Sequence, residues 1–162
     1  MKLISPVLSG LLAVFTLTQS AAATQPIFSK VSEGVAKISI GDLYGDWSFS
    51  TDFYRAGTCQ MTGSMMVFRS EEDNVAECVL TATEVCGDER SVVEQTCELI
   101  HSGGTAYIDS QIENFIERKP NSLGYLPDNF FLHELAADEM NGQLESAVIT
   151  SVVFRRSTGS IS

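Results

Sequence analysis

From Tyr44 to Arg156 polar and apolar residues alternate with a period of two, broken at short intervals by turn-forming residues. Trp47, Phe49, Thr51 and Phe53 alternate with Ser48, Ser50 and Asp52, which predicts a half-buried strand with those four side chains inward. A second strand is expected over Thr58–Arg69, ending in the acidic turn Ser70–Asn74, and a third over Val75–Cys86, ending at Gly87-Asp88. In the fourth, Ser91–His101, Val93, Gln95, Cys97 and Leu99 share one face and Glu94, Thr96 and Glu98 the other. Gly103-Gly104 supplies the positive φ that a tight hairpin needs. The strand after it, Ala106–Phe115, places Ala106, Ile108, Ser110 and Ile112 inward, with Tyr107, Asp109 and Gln111 outward.

A loop containing Pro120, Asn121, Gly124, Pro127 and Asp128 follows, and Phe130–Leu135, Met140–Ser146 and Thr150–Arg156 bring the count to eight strands. Only Ile112–Lys119 and Ala136–Met140 have room for a helical turn. Eight short strands joined mainly by hairpins predict an all-β fold: an antiparallel up-and-down meander that removes its open edges by closing into a barrel. An open two-layer sandwich of the same strands is the competing arrangement.

Cysteine spacing tests those turns. A hairpin at Gly87-Asp88 sets Cys78 opposite Cys97, and one at Glu71–Asn74 sets Cys59 opposite Cys86. Two separate turn assignments therefore bring all four cysteines into register. Pairing Cys78 with Cys86 would span about 26 Å along one extended strand, which disulfide geometry forbids. Cys59–Cys78 with Cys86–Cys97 stays open if a turn is misplaced. The close C-x-x-C pairs of zinc or redox sites are missing, so no metal is expected.

The chain ahead of the meander divides in two. Lys2 supplies one positive charge, Val7–Leu17 is an apolar run of eleven residues, and Ala21-Ala22-Ala23 fits the small-residue rule for signal cleavage. The run is shorter than the roughly 20 residues of a membrane span, so residues 1–23 are expected to be a secretory signal peptide, and no Cys follows to take a lipid anchor. Removing those 23 of 162 residues leaves 139, and with Lys2 gone the net charge moves from -11 to -12. Every cysteine lies in the mature part, as periplasmic or extracellular export favours. Residues 24–43 are expected to form an N-terminal arm or short helix, 44–157 the barrel and 158–162 a tail.

With 21 acidic residues against ten Lys and Arg, the charge argues against a nucleic-acid partner and against an anionic membrane surface. Catalytic chemistry is equally thin. Ser64 follows Gly63 without the second glycine of a nucleophile elbow, and no phosphate-binding loop occurs. Glu71, Glu72, Asp73 and Asn74 lack the alternating spacing of a calcium loop. Glu84 faces Met61 as an inward carboxylate near a strand end, His101 is inward beside Gly103, and His133 has no evident partner. The expectation is a protein that is not an enzyme and uses no cofactor.

Gly45-Asp46-Trp47 at the head of the first strand and Phe154-Arg155-Arg156 at the end of the last resemble the G-x-W and closing arginine of lipocalin-like barrels. That resemblance implies that Trp47 plugs one end of the barrel with Arg155 or Arg156 packed over it. The chain is also similar to the small secreted Inh-type inhibitors of bacterial metalloproteases, which join an eight-stranded barrel to an N-terminal arm that enters the protease cleft. Two readings of function follow. In the first, the barrel holds a small apolar ligand among Met61, Met65, Leu80, Val93, Gln95, Leu99, Ile108, Ile112, Phe130 and Leu132, oriented by Gln95 and His101; the alternative for those side chains is a filled core. In the second, the uncharged stretch Thr24–Ser29 inhibits a secreted protease. A structural or envelope-associated secreted protein is a third.

Overall fold

A computed structural model describes residues 38–118 and 125–157. A 3-10 turn, Ile40–Leu43, leads into eight antiparallel strands: β1 Gly45–Thr51, β2 Cys59–Arg69, β3 Val75–Cys86, β4 Glu89–Ser102, β5 Thr105–Glu117, β6 Asn129–Leu135, β7 Glu139–Glu145 and β8 Ile149–Arg156. Each strand pairs with its neighbours in sequence, and β1 pairs with β8, so the sheet is a closed barrel. Closure leaves no edge strand, which answers the sandwich alternative. The expected signal peptide and residues 24–37 of the expected arm lie outside the described residues, as does the tail after Ser157. Among the described residues no helix is long and apolar enough to cross a membrane.

The cysteine register holds. Cys59 faces Cys86 and Cys78 faces Cys97, both pairs are bonded, and their Cα separations of 4.1 and 4.8 Å suit the close-set positions of an antiparallel ladder. The two bridges fasten β3 to β2 near one end and to β4 near the other.

Simple alternation fails in three places. Phe53, expected inward, is 65% exposed, because β1 ends at Thr51 and the chain turns back through Arg55 and Ala56, both with positive φ. The turn swings Tyr54 inward instead, closed by reciprocal backbone bonds between Tyr54 and Cys59. Neither expected helical turn is present: β5 runs extended to Glu117, Lys119 lies outside the described residues, and Ala136–Asp138 is a bend between β6 and β7. Within β5, extra residues at Glu113 and Ile116 shift its register against β4. The first of these bulges moves the inward set from even to odd positions, so Ile112 is half-buried, Phe115 faces Val93 and Ile116 is exposed.

The barrel axis is filled through its middle by Phe49, Phe130 and Phe154, whose centroids lie 5.0 to 5.4 Å apart. Phe49 is paired with Gly63, where a Cβ would run into its ring and the Thr81 carbonyl, so the glycine makes space for the aromatic. Trp47 is fully buried at the end of the barrel where the chain enters, and its indole N–H donates to the Leu43 carbonyl at 2.9 Å. Arg156, not Arg155, covers it, with the guanidinium carbon 4.3 Å from the ring centroid. The same guanidinium donates to the carbonyls of Ala137, Tyr44 and Asp42, tying the last strand, the β6–β7 bend and the 3-10 turn into one plug. Gly45, at φ +117°, leaves room for it. Arg155 points outward to Glu139 at 3.3 Å, an exposed pair worth little.

Candidate functional site: a polar cluster at the far end of the barrel

Up-and-down connectivity puts the β1–β2, β3–β4, β5–β6 and β7–β8 connections at the end opposite Trp47. Into that end project side chains of a different kind. Gln95, inward on β4 and nearly inaccessible, donates from Nε2 to Asp128 Oδ2 at 2.6 Å, while its Oε1 accepts the Asp128 backbone N–H at 3.0 Å. One amide therefore holds both the main chain and the carboxyl of Asp128. The Tyr125 hydroxyl donates to the same Oδ2 at 2.7 Å. Ser110 on β5 completes the hold, its hydroxyl donating to the Asp128 carbonyl at 2.9 Å and its N–H to Asn129 Oδ1 at 2.8 Å.

These bonds carry on where the β5–β6 ladder stops. That ladder is confined to Ala106↔Leu132, Tyr107↔Phe131 and Ile108↔Phe130, so side chains of Ser110, Asp128 and Asn129 do the joining beyond it.

A second carboxylate belongs to the same end. Glu84, inward on β3 and 5% exposed, accepts from the Tyr54 hydroxyl at 2.9 Å, and the half-exposed Arg55 guanidinium lies 3.9 Å away. Burial, the bond to Glu84 and the Glu84 charge together push the Tyr54 phenol far up. Tyr125 is raised likewise, by burial first and then by the Asp128 charge. For Asp128, 1% exposed, burial drives the carboxyl up to about 6; the bonds from Tyr125 and Gln95 oppose that shift, the Glu84 charge adds to it, and the Ser146 hydroxyl opposes it. Asp128 Oδ1 has no hydrogen-bond partner.

Most sequence-derived lining residues are inward and buried: Met61, Met65, Leu80, Val93, Gln95, Leu99, Ile108, Phe130 and Leu132, with Ile112 half-buried. They do not form one chamber. Phe130 belongs to the aromatic plug of the middle, and the two polar residues expected to act together are separated. Gln95 serves the far end, whereas His101, six residues on and about 20 Å along β4, sits at the Trp47 end with its Nε2 unpartnered. His133 is the bulged residue of β6 and stacks outward on Phe131 at 6.3 Å. Cys59, Glu84 and Cys86 come close enough to resemble a metal site, but the disulfide leaves neither sulfur as a thiolate, so the donor set does not fit one.

Tyr54, Tyr125 and above all Asp128, expected only as part of a loop, are not among the residues that the sequence singles out. A signal was there: residues 128, 130 and 132 share one parity, and Phe130 and Leu132 are inward. On the outside, a groove of about 300 Å³ crosses β2–β5, with Glu77, Glu98 and Asp109 in direct cross-strand register beside Phe68 and Val79.

No protein-family model matches the sequence, and no curated protein matches it. Two solved structures are similar in fold. One is a de novo designed fluorescence-activating β-barrel, at 15% identity over 70% of this chain and 93% of that one, with a TM-score of 0.50. The other is a structure of EF1p2_mFAP2b bound to DFHBI, at 13% identity over 72% of this chain and 95% of that one, also with a TM-score of 0.50. At such identities the likeness establishes the architecture, an eight-stranded antiparallel barrel, and it agrees with the lipocalin-like resemblance at that coarse level.

Proposed function

We propose that this chain is a secreted, non-enzymatic binding protein that takes a small, partly apolar molecule at the end of its barrel opposite Trp47. The observation that carries this reading is the contrast between the two ends. One is plugged by Trp47 and Arg156 over interlocked phenylalanines, and the other gathers the polar side chains of Gln95, Asp128, Tyr125, Tyr54 and Glu84. A few convergent polar groups in an otherwise apolar interior are what a small-molecule site uses to orient its ligand. Burying two carboxylates costs stability that a filled core would avoid. A binding role accounts for that cost. The structure of EF1p2_mFAP2b, similar in fold, is of that protein bound to DFHBI, and this supports a binding role for the present barrel. Export is supported by the sequence of residues 1–23 and by the two disulfides.

Native mass spectrometry and thermal unfolding of the mature protein against a panel of small aromatic and aliphatic molecules test the reading. A ligand at about 100 times its Kd should add about 2.7 kcal/mol of stability. The expected result is a one-to-one adduct and a raised Tm for a subset of the panel, with amide perturbations around Gln95 and Asp128. An unbroken absence of adducts and shifts across the panel, or perturbations confined to the Trp47 end, overturns it.

A further inference from the structure

We infer that the ligand of this end is an organic cation, an ammonium or protonated nitrogen heterocycle on an apolar body, whose N–H meets Asp128 Oδ1. The inference rests on the binding role proposed above and names the chemistry of its ligand. It follows from an inventory of donors and acceptors. Asp128 Oδ2 receives two donors, from Gln95 and Tyr125, and the backbone N–H and carbonyl of Asp128 are both engaged. Oδ1 is buried and receives none.

Among the described residues, Gln95 and Tyr125 serve Oδ2, the Ser110 hydroxyl serves the Asp128 carbonyl and Tyr54 serves Glu84. The Ser146 hydroxyl donates to the Leu126 carbonyl at 3.3 Å and lies close enough to lower the Asp128 carboxyl, but it makes no hydrogen bond to Oδ1. Oδ1 is open to a donor that a ligand would bring. A buried carboxylate oxygen without one forfeits a charge-assisted hydrogen bond and bears its full desolvation cost.

Charge points the same way. Glu84 lies close enough to raise the Asp128 carboxyl, and none of the described ion pairs reaches Asp128. A cationic ligand would pair with the Asp128 carboxylate, whereas a carboxylate ligand, such as a fatty acid, would set like charges side by side. A neutral acceptor offers Oδ1 nothing.

Isothermal titration at pH 8 with three probes sharing one ring, benzylammonium, benzyl alcohol and benzoate, tests this on the mature protein. Wild type is expected to bind benzylammonium at least about tenfold tighter than benzyl alcohol, the fold-change of one charge-assisted hydrogen bond, and to bind benzoate not at all. In Asp128→Asn the Oδ2 position still accepts from Gln95 and Tyr125, but an NH₂ replaces Oδ1. The preference for the ammonium should then vanish and benzoate should gain. The wild-type ranking stands without the variant, so misfolding of Asp128→Asn would not blunt the test. Benzyl alcohol or benzoate binding as tightly as benzylammonium overturns the cation assignment and leaves the binding role standing. Panel ligands that bind while benzylammonium does not have the same effect, and silence from panel and probes together removes both readings.

Discussion

Reducing the two disulfides is expected to remove several kcal/mol of stability. Cys59–Cys86 and Cys78–Cys97 close loops of 27 and 19 residues, for which loop-closure entropy gives about 3.5 and 3 kcal/mol. The loops overlap, since Cys78 lies inside the first, so their joint effect should exceed either one and fall short of the sum. Set against the roughly 5 to 15 kcal/mol typical of a domain, that loss is a large share. Guanidinium unfolding of the intact protein beside the double variants Cys59→Ala/Cys86→Ala and Cys78→Ala/Cys97→Ala gives each contribution. Reduction should also raise the denaturant dependence, because the released chain exposes more surface. A midpoint that does not move on reduction would show that the bridges constrain little in the unfolded ensemble.

The second large effect is tied to pH. Asp128 has its carboxyl raised to about 6 from 3.8, so between those values the folded protein binds a proton that the unfolded chain has released. Stability from this group is complete below about pH 4 and is lost as pH climbs through 6. The loss amounts to about 3 kcal/mol at neutral pH, from about 1.36 kcal/mol for each pH unit of displacement. The groups facing it are Gln95 on β4, Tyr125 and Ser146 from the flanking connections and Glu84 on β3, and of these only Glu84 carries charge. Asp128→Asn should therefore match wild type near pH 4 and exceed it by about 3 kcal/mol at about pH 7 to 8. Unfolding curves of the two proteins at several pH values give the difference directly, and a difference that stays flat with pH contradicts the assignment. Stability gained by losing the carboxylate is the pattern of a residue kept for binding rather than for folding.

Parity explains what could be read in advance. With turns at Gly87-Asp88 and Glu71–Asn74, the four cysteines, the acidic outer face of β4 and the inward row through Gln95 all follow, because a period-two element has no freedom except slippage. Closure of the meander follows from its hairpins. The misses occur where an added residue breaks the period. Arg55 and Ala56 reverse the chain in a left-handed turn that no glycine announces until Gly57, and so Tyr54 rather than Phe53 points inward. Bulges at Glu113 and Ile116 depend on how β5 must bend to reach its partners, which is a property of the closed sheet and not of a local window. Asp128 was hidden for another reason. An aspartate after a proline is ordinary turn chemistry, and only contact with Gln95, 33 positions away, makes it a buried acid.

The placement of the cross-links has a mechanical side. With β3 stitched to β2 at Cys86 and to β4 at Cys78, no part of that three-strand wall can peel away without dragging its neighbours. Fluctuations must then concentrate where the ladder is shortest, between β5 and β6, where water can replace the Ser110 bonds one at a time. The barrel is thus a rigid shell with a single zip fastener, and its slider sits beside Asp128.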